Sequence, residues 1–190
     1  MAVLFISEET IKKSTTINGN VDAELLLPYI KVSQDIHIHQ LLGTDLYDKL
    51  QADIVGNSVA GAYETLLDVY IQPVLIHYAL YECLPFLSYK IMNKDIVRKI
   101  SETSSAASLE DIVYMREIIK NTAEYYAKRM VDYICNNTAS FAEYSSNSGA
   151  DLSPTREAYF SGMNLTDYNQ NTTRSHITLK DFLTPDISPD

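Results

Sequence analysis

Between Ala60 and Ile91 apolar pairs recur every four residues: Leu66/Leu67, Tyr70/Ile71, Val74/Leu75, Tyr78/Ala79 and, past Glu82/Cys83, Phe86/Leu87. This period is helical. It constrains the chain more than any other feature, because its phase survives Pro73. A proline within a helix frees one carbonyl, that of Val69 for Pro73 and that of Tyr81 for Pro85, and bends the axis. A helix interrupted twice that still keeps its stripe is predicted to be one kinked, buried central element. Glu82 falls inside the stripe and needs a partner if it is buried.

A second long helix is predicted after the polar loop "SETSSAAS". Ser108 caps it, with Asp111 three residues on as an acidic version of the capping box, and it runs to about Cys135. Such a helix rises roughly 40 Å, close to the width of a domain this size. Its main stripe is Ile112, Met115, Ile119, Ala123, Tyr126, Met130 and Tyr133, and a second stripe, Tyr114, Ile118 and Tyr125, lies about a third of a turn away. A helix with two apolar faces is either sandwiched within its own domain or shared with a neighbouring chain; the second face is assigned to a neighbour.

The remaining elements are shorter. Ser7 opens a helix over 8–13, "TINGN" is a turn, and Asp22 caps a helix that carries Pro28 and the apolar positions Leu25, Tyr29, Val32 and Ile36. Gly43 ends it, and Thr44 is expected to cap the next, with Leu46, Tyr47, Leu50 and Ile54 inward. "DIVRKI" reads as a short extended segment. Phe141 and Tyr144 are placed to clip the end of the second long helix to the body. The fold expected is mainly α: a bundle of about four to five helices with two long central ones over 1–144, a short extended segment and loop near 93–108, and a long irregular arm over 145–190. The arm cannot form a core of its own. It carries Tyr159, Phe160, Ile177, Leu179 and Phe182, and Ile177 and Leu179 alternate with polar residues as a strand added to another chain's sheet would. Either the arm stays disordered or it orders on a partner.

Chemistry is sparse. His37 and His39 sit among Asp35, Gln40, Asp45 and Asp48, yet two positions apart on a helix they project about 200° from each other and cannot share a metal. They read as surface or edge polarity. No HExxH, GxSxG, GxGxxG or phosphate-binding loop occurs. Cys83 and Cys135 stand far apart and read as reduced core thiols. No catalytic residue, cofactor or metal is assigned. "AVLFI" is too short for a signal peptide's apolar region and no run approaches a bilayer span, so no membrane partner is expected. The net charge of −10 repels phosphate backbones and excludes a tight nucleic-acid reader, though not a conduit through which DNA slides. Fourteen tyrosines against five phenylalanines and no tryptophan suit surfaces that become buried on assembly, and equally the edges of a helical core.

Three blocks, "FISEETIKKSTTINGNVDAELLLPYIKVSQDIHIHQLLGTDLYDKL", "YALYECLPFLSYKIMNKDIVRKISETSSAAS" and "EYYAKRMVDYICNNTASFAEY", cover about residues 4–144. In order and spacing the chain resembles the head–tail connector proteins of tailed bacteriophages, also called head-completion or adaptor proteins, of the type found in crAss-like phages. The resemblance implies a structural virion protein at the neck, made in the host bacterial cytoplasm. It would form a ring, usually dodecameric, beneath the portal protein, meet other ring or tail components, and extend a channel that DNA crosses only as cargo. It implies no catalytic centre. On this reading the arm docks on the portal or on a neighbouring component, and the loop at 101–108 lines the channel or a subunit junction. The candidate contact residues are Tyr114, Ile118, Tyr125, Phe141, Tyr144, Tyr159, Phe160, Ile177, Leu179 and Phe182. Two rivals stand beside it: a small helical adaptor or regulatory protein binding a single host or phage partner, and an enzyme using Glu82, His37 or His77.

Overall fold

Because 3.6 residues complete an α-helical turn, a side chain repeated every four positions drifts about 40° per step. Unchecked, that drift would carry the pairs of residues 66–87 more than halfway round their helix. The computed structural model, which describes residues 3–17, 20–91, 96–98, 108–146, 148–149 and 151–155, shows how the chain avoids this. Helices α5 (Ala62–Thr65) and α6 (Gln72–Ser88) are joined without a break by a π-helical turn, Leu66–Ile71. The Gln72 N–H reaches back to the Leu67 carbonyl, and the widened turn resets the drift just before Pro73. One continuous helix results, with Leu66, Ile71, Val74, Leu75, Tyr78, Ala79 and Cys83 buried.

The same device recurs near the start. Helix α2 (Ala23–Ser33) runs through a π turn, Gln34–Ile38, into α3 (His39–Leu42). The buried set here is Leu26, Ile30, Gln34, Ile38 and Leu42, again every fourth residue. The stripe read from the sequence was the wrong one: Leu25, Val32 and Ile36 are exposed. Both sides of α2 are apolar, and a polar residue, Gln34, sits in the middle of the buried one.

Helix α1 (Glu8–Ser14) begins at Ser7, whose Oγ accepts from the Thr10 N–H, and α2 begins at Asp22, which accepts from Glu24. Helix α4 (Thr44–Val55) buries Leu46, Tyr47 and Leu50. Thr44 does not cap it; Gly43 is its N-cap and the end of α3 at once, with φ +75°. A short antiparallel pair, β1 (Tyr89–Ile91) and β2 (Ile96–Arg98), follows α6 in the register Tyr89↔Arg98, Lys90↔Val97, Ile91↔Ile96. Helix α7 (Leu109–Asn136) starts with the full capping box between Ser108 and Asp111. A 3-10 turn (Thr138–Ser140) and α8 (Ala142–Ser146) close the described helices. Counted through the π turns, six helices stand among the described residues, and the fold is mainly α.

Helix α6 is the centre. Tyr78, Glu82 and Phe86 face α2 and its π turn, whereas His77 and Tyr81 face α7. Phe141 and Tyr144 are buried in the chain's own core, with Phe141 edge-on to Tyr63 at 5.5 Å. They clip the end of α7 to the body and are not available as contact residues for another chain. Of the two cysteines, Cys83 is buried but Cys135 is exposed, so only the first is a core thiol.

Residues 148–149 and 151–155 pack back on the corner between α3 and α4. The Thr44 N–H donates to the Leu152 carbonyl at 2.9 Å, and the Thr155 N–H to that of Gln40 at 2.8 Å. Pro154 lies so near Gly43 that a Cβ there would stand 2.7 Å from the proline ring. Tyr159, Phe160, Ile177, Leu179, Phe182 and the loop at 101–107 lie outside the described residues.

Candidate functional site

The first place to look for chemistry is the π turn of α2, which aims His37 at α6. The ring is buried, stacks on Tyr78 at 3.8 Å between centroids, and sets Nε2 3.1 Å from Glu82 Oε1. His37 is therefore not the surface polarity the sequence indicated, and Glu82, the acid in the central stripe, has its partner. That pairing was not legible, because 45 residues separate the two. Burial pushes the Tyr78 phenol upward, and burial likewise pushes the Cys83 thiol up to about 11, so neither ionises near neutrality. A thiol so protonated is a poor nucleophile.

Gln34, which the sequence reading passed over, anchors the start of the chain. Its Oε1 accepts from the Phe5 N–H at 2.9 Å, and its Nε2 donates to the Val3 carbonyl at 2.8 Å and to the Tyr47 hydroxyl at 2.9 Å. Its signal was the four-residue spacing from Ile30 and to Ile38. His39 points away from His37, stacking on Tyr47 and meeting Thr44 Oγ1 at 2.8 Å. His77 bonds the Pro73 carbonyl through Nδ1 at 2.7 Å and stacks on Tyr126. These three histidines thus go to three different neighbourhoods. Among the described residues no group of three or more His, Cys, Asp or Glu is placed to share a metal. Each of these polar groups is held by a neighbour within the chain.

The second place is the outside of α7. Ile112, Ala123, Ala127, Met130 and Ile134 are buried, and Ile119, Tyr126 and Tyr133 partly so; Met115, assigned to this stripe, is exposed. Directly across the helix stand Tyr114 (67% exposed), Ile118 (49%) and Tyr125 (67%). At 100° per residue these three fall within an arc of about 40°. The structure thus brings three of the candidate contact residues together into one outward apolar line. Leu109 and Val113 are also exposed, on other sides of the helix, and Arg116 ties this half of the helix down, its Nε donating to the Tyr81 carbonyl at 3.1 Å. Among the described residues these three large side chains leave about half or more of their surface open along one line of the helix.

Among the described residues no helix is long and apolar enough to cross a membrane. A family model described as "Family of unknown function (DUF6712)" matches residues 38–153, well over half of the chain, and its span ends inside the segment docked on Gly43. No curated protein and no solved structure matches.

Proposed function

We propose, for a chain that belongs to the family of unknown function DUF6712, the role of a structural virion protein: a ring of copies that joins the capsid portal of a tailed phage to its tail and extends the DNA channel. The observation that carries this reading is the outward line of Tyr114, Ile118 and Tyr125 on α7, apolar surface that a solitary subunit does not need. Tyrosine suits such a line, since its ring gains from burial while its hydroxyl tolerates water before assembly. The net charge of −10 supports the same reading, as an acidic wall lets a phosphate backbone pass without holding it.

Co-expression with the portal protein encoded in the same genome, followed by electron microscopy of the purified complex, tests the proposal. The expected result is a ring of copies seated on the portal. A portal without added density, with this protein migrating separately, would overturn it.

A further inference from the structure

Two exposed apolar lines lie on this chain, and they match. On α7 the line is Tyr114, Ile118, Tyr125, with steps of four and then seven. On α2 and its π turn it is Leu25 (45% exposed), Val32 (40%) and Ile36 (36%), with steps of seven and then four. Both span about 16 Å of helix. Laid antiparallel, they meet rung for rung: Tyr114 on Ile36, Ile118 on Val32, Tyr125 on Leu25. Ile36, within the π turn, is rotated by part of that turn's widening and still lies at the edge of the same exposed side.

Charge selects the direction. In the antiparallel register Lys128, three residues past Tyr125, falls opposite Asp22, three before Leu25; both are exposed. A parallel register can also match apolar residues, by way of Tyr29, but Tyr29 is already stacked on Phe86 at 5.0 Å. It would also set Asp111 against Asp22, which are like charges.

We propose that α7 of one copy docks antiparallel on the exposed side of α2 of the next copy, through Tyr114/Ile36, Ile118/Val32, Tyr125/Leu25 and Lys128/Asp22. The two lines belong to helices packed on different flanks of α6, so the contact is heterologous: each copy offers one face to its predecessor and the other to its successor. Contacts of that kind close into rings or run on as filaments, whereas a single self-complementary face stops at a dimer. Three side chains on each partner fall short of the roughly 800 Å² per partner of a stable interface. Free copies therefore associate weakly, and ring closure or a platform beneath supplies the rest. The inference rests on the ring reading and specifies its subunit contact.

Disulfide trapping tests it in the full chain with the exposed Cys135 changed to serine; Cys83 is buried. Leu25→Cys and Tyr125→Cys proteins, one carrying a size tag, are oxidised separately and mixed, both free at high concentration and with the portal protein present. The expected result is a mixed dimer in at least tenfold excess over either homodimer, and a ladder of multimers from the doubly substituted chain. Lys128→Glu in the Tyr125→Cys protein should cut the mixed product several-fold, and Asp22→Lys in its partner should restore it. Homodimers of Tyr125→Cys alone would mean a self-complementary contact and overturn the pairing. So would the absence of mixed product in both settings. Copies that ring the portal without forming the mixed product would overturn this contact and leave the ring standing. A mixed product from copies that never bind the portal would sink the connector role and leave the contact standing.

Discussion

Glu82 and Ser33 show how differently two polar side chains in one interior behave. Glu82 Oε1 meets His37, and truncating it would leave a buried imidazole with one bond fewer, a change worth about 1–3 kcal/mol. Ser33 Oγ is buried with no hydrogen-bond partner, so its desolvation is not offset. Urea unfolding should therefore find Glu82→Ala destabilised by about 1–3 kcal/mol, Glu82→Gln by less than half of that, and Ser33→Ala unchanged or stabilised by up to ~1 kcal/mol. Equal losses for Glu82→Ala and Glu82→Gln would mean that charge, not the hydrogen bond, is what His37 needs. None of this could be read from the sequence. Residues 37 and 82 become neighbours only when α2 lies on α6, and an isolated histidine pattern looks the same whether exposed or buried. The caps were legible for the opposite reason: Ser7, Asp22 and Ser108 act within three residues of themselves.

At the scale of elements, the corner between α3 and α4 is held from outside. Gly43 combines a φ of +75° with the Pro154 ring against it, and Thr44 Oγ1 accepts from the Leu152 N–H at 3.0 Å instead of capping its own helix. Reading Thr44 as a cap failed because the partner it prefers lies 108 residues on. Gly43→Ala meets both the strain of an extended positive-φ backbone, about 1–3 kcal/mol, and a clash with proline. Limited proteolysis should then cut near 148–155 at least several-fold faster than in the wild type. Asp45 adds a pH dependence to the same corner. It accepts from both the hydroxyl and the N–H of Ser148, which hold its carboxyl below the usual range. A carboxylate with a depressed folded pKa stabilises above its unfolded value, near 4, and that contribution fades as pH falls through the lower folded value. Relative to intrinsic rates, exchange of the Leu152 and Thr155 amides should accelerate below about pH 4. In Asp45→Ala it should be faster than in the wild type above that window, flat through it, and equal to the wild type below it.

For the whole molecule, the sequence made the two faces of α7 legible because each keeps helical spacing, the inward one along most of the helix and the outward one over about three turns. It misassigned α2 because apolar residues occur on both sides of it. The outward residues of the two helices are also the ones whose removal costs the monomer least. Tyr125→Ala, at a site 67% exposed, should change unfolding free energy by less than about 0.5 kcal/mol while lowering self-association measurably in sedimentation. A drop in stability of 2 kcal/mol or more would show that the line is held within the chain after all.

The π turn at Gln34–Ile38 amounts to one residue spliced into an otherwise ordinary helix. Asp35, exposed within it, should therefore accept deletion as well as replacement. Excising it would let a regular helix form with its backbone bonds intact and with Leu26 and Ile30 still in phase with Ile38 and Leu42, since eleven residues at 100° return to within about 20° of the starting side. The shortened chain should keep both its far-ultraviolet dichroism and a sharp melting transition; loss of the transition would show that the bulge itself, through the aim it gives Gln34 and His37, is what the interior requires.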